Sequence, residues 1–201
     1  MRAAGAIPPG IEGYDSTRAP YRHDPELAKR LLAEAGYPGG FALQLWRTQR
    51  TELARIAQAV QADLGEVGIR VEIVERDASS AREAARAGET DMFISDWYAD
   101  YPDPENFTYP LFHSRNAGPG GNMAFLRDPA LDARILEMRS TSDSLRKIEL
   151  ARQVDGAIFD QAPWIFLWFP VDMWAVRPEV EGWKIYAVFT GQRWDEVRYA
   201  E

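Results

Sequence analysis

Apolar positions recur along the first half of the chain with two periods, one typical of helices and one typical of strands. Apolar side chains three and four positions apart predict amphipathic helices, whereas alternating or β-branched apolar runs predict strands. The predicted helices are 24–36, 51–67 and 80–87, and the predicted strands are 41–46, 69–74 and 91–94. This alternation with short joints predicts parallel strands joined by helical crossovers, and therefore an α/β fold.

The second half is predicted to contain two consecutive helices followed by a strongly apolar segment. Asp128 and Ser142 are the predicted helix caps, and Pro163 prevents the second helix from continuing. Residues 164–176, WIFLWFPVDMWAV, predict a buried strand or a pair of strands. Tryptophans within apolar strand runs are expected in the core, and these are Trp46, Trp164, Trp168 and Trp174.

Residues 91–107, DMFISDWYADYPDPENF, have the composition of a binding site. Pro102 and Pro104 cannot donate to a sheet, so the strand is predicted to end between Trp97 and Asp100. Open α/β sheets bind ligands at the carboxyl ends of their strands. The candidate ligand-binding residues combine one negative charge with flat rings, and they are Asp100, Trp97, Tyr98 and Tyr101. The alternative is that Asp100 forms a turn or caps the segment after Pro102.

Composition narrows the function classes. The chain has 201 residues, 46% of them hydrophobic, which is sufficient for one large domain with a core. Its net charge of −8 and pI near 4.9 argue against a nucleic-acid partner, because phosphate neutralisation requires a basic face and the sequence has no cluster of lysine and arginine. The absence of cysteine from the sequence excludes disulfides, thiolate zinc sites and thiol nucleophiles.

Catalytic motifs are missing from the sequence. It lacks a nucleophile elbow, a phosphate loop, a dinucleotide fingerprint and a zinc-protease helix, and its histidines are His23 and His113 alone. Catalysis would therefore depend on the acidic residues of 91–107, so a carboxylate-based hydrolase remains an alternative. Asp91 and Asp96 would face opposite sides of a strand, and Asp103 is a usual turn residue. We expect no enzyme activity, no metal site and no cofactor.

The sequence shows no targeting or membrane signal. No apolar run reaches the length of a membrane span, and the opening MRAAGAIPPGIEGYD lacks the apolar region of a secretory signal. We therefore expect this chain to carry no export signal of its own.

Four separated phrases resemble the C-terminal part of the family 5 extracellular solute-binding proteins. They are DPELAKRLLAEAGYPGGF, VQADLGEVGIRVEI, DMFISDWYADYPDPENF and QAPWIFLWFPVDMWAVRPEVEGW, in that order. The resemblance implies one lobe of a periplasmic-binding-protein-like type II fold, with a mixed, mostly parallel sheet flanked by helices. It implies an irregular lead-in or interlobe connector at 1–22, a solute-binding lobe at 23–182, and a tail at 183–201 that packs on another lobe.

The resemblance also implies a function. Proteins of this family serve ABC-type importers of oligopeptides, dipeptides and nickel, in the periplasm or at the cell surface, with permease and ATPase partners. By resemblance, Asp100 pairs with the free α-amino group of a peptide, and Trp97 lines the pocket. The chain departs from a common family pattern at 77–79, where Asp77-Ala78-Ser79 replaces an aromatic residue, so another small solute also fits.

Family members are longer than this chain and enclose their ligand between two lobes. We therefore expect the chain alone to bind ligand weakly or not at all, as a truncated gene product, an excised domain or half of a split protein. The tail aromatics Trp183, Tyr186, Phe189 and Trp194 would then support self-association. An interaction module that uses this tail is a further alternative function.

Overall fold

A computed structural model of the chain describes residues 1–171, 173–184 and 194–200. These residues divide into two compact units. Unit 1 comprises the described residues of Met1–Pro20, Trp97–Ser114 and Leu126–Glu201, and unit 2 comprises Tyr21–Asp96 and Arg115–Phe125. No helix of the described residues has both the length and the apolar composition needed to cross a membrane.

Unit 2 contains a parallel three-stranded sheet with three helices. Its elements are α1 (Pro25–Glu34), β1 (Ala42–Thr48), α2 (Thr51–Glu66), β2 (Arg70–Arg76), α3 (Ala78–Ala87) and β3 (Met92–Phe93). The strand order is β2-β1-β3, and both pairings are parallel. The core lies where α2 packs on the sheet, around Leu45 and Ala57. The α/β fold predicted from the alternating periods is confirmed.

Side-chain caps fix two helix starts in unit 2. The Asp24 carboxylate accepts a hydrogen bond from the Leu27 backbone N–H at 2.8 Å, as the Asp-Pro pair predicts. Asp77 accepts from the backbone N–H groups of Ser79 and Ser80, both at 3.1 Å. Asp77 therefore serves the start of α3, two residues earlier than the sequence predicts.

The strand that leads to the candidate site is shorter than predicted. β3 comprises only Met92 and Phe93, and Ile94 adds one further hydrogen bond to the carbonyl of Trp46 at 3.0 Å. The predicted strand end between Trp97 and Asp100 is therefore wrong. Pro102 and Pro104 set only the last position at which the strand could end.

Unit 1 is mainly helical. It contains α4 (Glu105–Phe112), α5 (Pro129–Ser140), α6 (Ser144–Gln161) and an antiparallel pair of two-residue strands, β4 (Val180–Glu181) and β5 (Arg198–Tyr199). Two consecutive helices were predicted, and α5 and α6 confirm them. The cap of α6 is Asp143 rather than Ser142, because the Asp143 carboxylate accepts from the backbone N–H of Leu145 at 2.9 Å.

The apolar segment 164–176 does not form the predicted strands. In the part of this segment that the structure describes, pairing is limited to an isolated bridge between Trp168 and Arg2. Trp164 is partly buried against Phe112, but Trp168 and Trp174 are 47% and 60% exposed. Their predicted burial is wrong, because an apolar run becomes a core strand only where neighbouring strands pair with it.

The irregular lead-in is integrated into the core of unit 1. Ala3, Ala6, Ile7 and Ile11 are buried, and Ile7 is only 1% exposed. The backbone N–H groups of Ala6 and Ile7 donate to Asp155 of α6 at 2.7 and 3.2 Å. The lead-in therefore supplies part of the hydrophobic core of unit 1.

The predicted division into lead-in, lobe and tail stays a prediction. The tail residues Tyr186 and Phe189 lie outside the described residues. Trp183 lies between Trp174 and Trp194, with ring centroids 5.5 and 5.7 Å apart. Self-association through the tail therefore stays a prediction as well.

Candidate functional site

The four predicted site residues lie on one exposed loop of unit 1, between residues 97 and 104. Trp97, Tyr98 and Tyr101 are 40%, 55% and 44% exposed, and Asp100 is exposed as well. Ala99, in the middle of this loop, is buried in the cluster that contains Ile7. Ala99 therefore anchors the loop while its neighbours remain accessible to a ligand.

Asp100 is an exposed acidic residue in the middle of this loop. Among the described residues, no lysine, arginine or histidine forms an ion pair with it. The alternative role as a helix cap is wrong, because α4 begins at Glu105, whose backbone N–H donates to Asp103 at 2.8 Å. Asp103 thus serves the helix start, and the Asp100 carboxylate remains open to solvent.

The first turn of α4 holds this loop in place. The side-chain oxygen of Asn106 accepts from the Trp97 indole N–H at 3.3 Å and from the Asp100 backbone N–H at 3.1 Å. The hydroxyl of Tyr101 donates to the Glu105 carboxylate, and this hydrogen bond raises the pKa of Tyr101 above its ordinary value. Three of the four candidate residues are therefore tied to two consecutive residues of one helix.

Sequence reasoning did not single out Asn106 or Glu105 as structural parts of the site. Both are buried, at 4% and 8% exposure. A usable signal was present, because the Asn side chain readily bonds to nearby backbone groups, which disfavours Asn inside helices and favours it in turns and near helix starts. An Asn in the first turn, next to a loop of aromatic residues, therefore indicates a side chain that holds the loop.

Cations from α5 and α6 complete the support. The Arg139 guanidinium pairs with Glu105 at 2.7 Å and lies over the Tyr109 ring, 3.9 Å from its centroid. Lys147 pairs with Asp103. These pairs join the loop and α4 to both following helices.

The remaining acidic residues of 91–107 all have partners. These pairs are Asp91 with the Gln44 backbone N–H, Asp96 with Arg50, Asp103 with Lys147, and Glu105 with Arg139. Three of these four carboxylates therefore already have an arginine or a lysine as partner. No group of three or more acidic or histidine side chains within the described ranges could hold a metal ion.

Comparison with known proteins shows what the chain resembles. It is 33% identical to heme-binding protein A of Haemophilus influenzae over 186 residues, which covers 90% of this chain and 34% of that protein. It is 32% identical to the dipeptide-binding protein of Escherichia coli over 190 residues, covering 92% of this chain and 36% of that protein. The chain therefore spans about a third of the length of these curated relatives.

A solved structure supports the same assignment. The dipeptide-binding protein of Pseudoalteromonas sp. SM9913, in complex with Met-Leu, is 27% identical with a TM-score of 0.85, over 99% of this chain and 40% of that one. This similarity confirms the predicted periplasmic-binding-protein-like type II fold. The family described as bacterial extracellular solute-binding proteins, family 5 Middle, matches residues 1–119. The chain belongs to the family 5 bacterial extracellular solute-binding proteins.

Proposed function

We propose that this chain supplies one wall of the solute site of an ABC-type importer, and that it binds a peptide or another small amine-bearing solute without catalysis. The observation that carries this proposal is the exposed Asp100 carboxylate, which has no cationic partner among the described residues. Exposed aromatic rings lie on either side of it along the loop. A lone anion with flat apolar neighbours suits an ammonium group attached to an apolar body.

The charge pattern of the loop favours Asp100 over its acidic neighbours. Asp103 and Glu105 are already neutralised by Lys147 and Arg139, so an incoming ammonium group would have to displace a cation to reach them. Asp100 presents its charge without that competition. An exposed ion pair contributes about 0.2–1 kcal/mol, and exclusion of water by a further wall would strengthen it.

The class of solute is proposed more broadly than a single ligand. Two relatives of nearly equal identity, 33% and 32%, are a heme-binding and a dipeptide-binding protein, so overall similarity does not select the ligand. The loop argues for an amine-bearing solute. The proposed partners are the ABC permease and ATPase subunits and an N-terminal lobe, which would supply the opposite wall of the solute site. The proposed location is the periplasm or the cell surface.

A titration followed by ¹H–¹⁵N NMR tests this proposal on the chain itself. The dipeptide Met-Leu should bind weakly, with a Kd of about 1 mM, because one open wall buries only part of a ligand. The signals that shift should be the Trp97 indole N–H and the backbone amides of residues 98–101. N-acetyl-Met-Leu, which has no ammonium group, should bind about two- to fivefold more weakly.

Two outcomes would contradict the proposal. Shifts confined to residues outside the 97–104 loop would place the binding surface elsewhere. Isothermal titration that gives about micromolar or tighter affinity would show that the chain alone forms a complete site.

A further inference from the structure

The hydrogen bonds of the loop converge on one buried oxygen atom. The Asn106 side-chain oxygen accepts from the indole of Trp97 at 3.3 Å and from the backbone of Asp100 at 3.1 Å. These two donors belong to the ring and to the charged residue of the candidate site. The same atom therefore constrains the orientation of the indole and the position of the Asp100 backbone.

Burial protects the hydrogen bonds to Asn106 from competition by water. Asn106 is 4% exposed, so water competes little for its side-chain oxygen. The hydrogen bonds from Trp97 and Asp100 to this oxygen are therefore rarely replaced by bonds to water. Ala99 is anchored in the core between these two donors, which leaves the loop little freedom to shift as a whole. Loss of the acceptor would leave the loop attached through Ala99, but the Trp97 indole and the Asp100 backbone would no longer have a fixed orientation.

We propose that Asn106 is a positioning residue, which sets the geometry of Trp97 and Asp100 before any ligand arrives. The positioning itself is a property of the ligand-free chain, and only its effect on affinity rests on the proposed function. Pre-positioned groups bind more tightly because less ordering remains to be done on binding.

The variant Asn106→Leu tests this proposal, because leucine has a similar volume and no acceptor. Thr108→Val is the matched control, since Thr108 is also buried in α4. Its hydroxyl donates only to backbone carbonyls of the preceding helical turn, those of Pro104 at 3.0 Å and Glu105 at 3.3 Å. In the ligand-free Asn106→Leu variant, the NMR chemical shift of the Trp97 indole N–H should move towards the value of a solvent-exposed indole. The Asp100 amide should move as well, and Thr108→Val should leave both signals unchanged.

Solvent exchange in the unmodified chain provides an independent readout if Asn106→Leu does not fold. The Trp97 indole N–H should exchange several-fold more slowly than those of Trp174 and Trp194, which are 60% and 67% exposed. Equal exchange rates would overturn the proposal. An unchanged Trp97 signal in folded Asn106→Leu would overturn it too, as would an equal shift in Thr108→Val.

Affinity then separates this inference from the proposed function. If both hold, Asn106→Leu binds Met-Leu roughly two- to tenfold more weakly than the unmodified chain. If the indole and amide signals move while Met-Leu binds neither protein at the loop, the positioning role stands and the proposed function fails. If the indole and amide signals move while Met-Leu binds both proteins equally at the loop, the positioning role stands and its effect on affinity is overturned.

Discussion

Asp155→Ala should lower the free energy of unfolding by about 3–5 kcal/mol, because it removes one partner of a buried ion pair. Asp155 is 1% exposed, and its carboxylate pairs with Arg18 while it accepts from the backbone N–H groups of Ala6 and Ile7. Removal of the carboxylate leaves two buried N–H donors unsatisfied, and it leaves Arg18 with Asp15, 3.5 Å away, as its remaining acidic partner. Urea denaturation followed by circular dichroism measures the loss.

Local hydrogen exchange identifies the cause. The backbone amides of Ala6 and Ile7 should lose protection in Asp155→Ala. Asp160→Ala, at an exposed position on the same helix, should change stability by less than about 0.5 kcal/mol. Equal stability of the Asp155→Ala and Asp160→Ala variants would contradict the role assigned to Asp155.

The pH dependence of stability gives a second readout on Asp155. Burial raises the pKa of this carboxyl above its ordinary value of 3.8, because lost solvation outweighs the Arg18 guanidinium and the N–H donors. The folded chain then holds this proton more tightly than the unfolded chain. The contribution of Asp155 to folding stability is therefore complete below the pKa that this carboxyl has in the unfolded chain, and it decreases as the pH rises through the pKa in the folded chain. Asp155→Asn should remove this decrease.

Phe112→Ala should lower the free energy of unfolding by a similar amount, about 3–5 kcal/mol, because it leaves a cavity in the core. Phe112 is 0% exposed at the end of α4, and its ring centroid lies 4.5 Å from that of Trp164. Since α4 begins with the residues that hold the candidate loop, loosening its far end should also broaden the NMR signals of Trp97 and Asp100.

A matched control distinguishes the cavity from a general loss of apolar surface. Leu145 lies on α6 and is 81% exposed, so Leu145→Ala should change stability by less than about 0.5 kcal/mol. Urea denaturation of both variants makes the comparison. A loss below about 1 kcal/mol for Phe112→Ala would contradict the placement of Phe112 in the core.

The parts of the fold that sequence predicts are those fixed by local rules. Asp24 and Pro25 begin a helix through a cap and a preset backbone angle, and both act within one turn. β1 and β2 follow from apolar spacing, and their parallel pairing follows from the helix between them. These signals need no information from distant residues.

The parts that sequence misses depend on distant partners. The Gly/Pro-rich lead-in has no periodic pattern, yet Ile7 is buried because α6 offers it a partner at Asp155, 148 residues later. Trp168 and Trp174 show the converse. Their apolar run predicts burial, but too few neighbouring strands of the described chain pair with that segment.

The sequence indicates which residues make up the candidate site, but not which contacts hold its loop in place. Residue types alone indicated Asp100 and Trp97, because an anion among aromatic residues is recognisable in the sequence. The convergence of two donors on Asn106 depends on how the loop folds back on α4, and Glu105 is buried through Arg139 on another helix. Such pairings follow from tertiary geometry, which periodicity does not encode.

The most direct test of the central claim is a thermodynamic cycle between the Asp100 carboxylate and the ammonium group of the ligand. Met-Leu and N-acetyl-Met-Leu would be titrated by NMR into the unmodified chain, into Asp100→Asn, and into Asp96→Asn as a control whose carboxylate already pairs with Arg50 at 3.1 Å. The unmodified chain and Asp96→Asn should prefer the free amine about two- to fivefold, and Asp100→Asn should show no preference. A preference that persists in Asp100→Asn would contradict the claim that this carboxylate recognises the ligand.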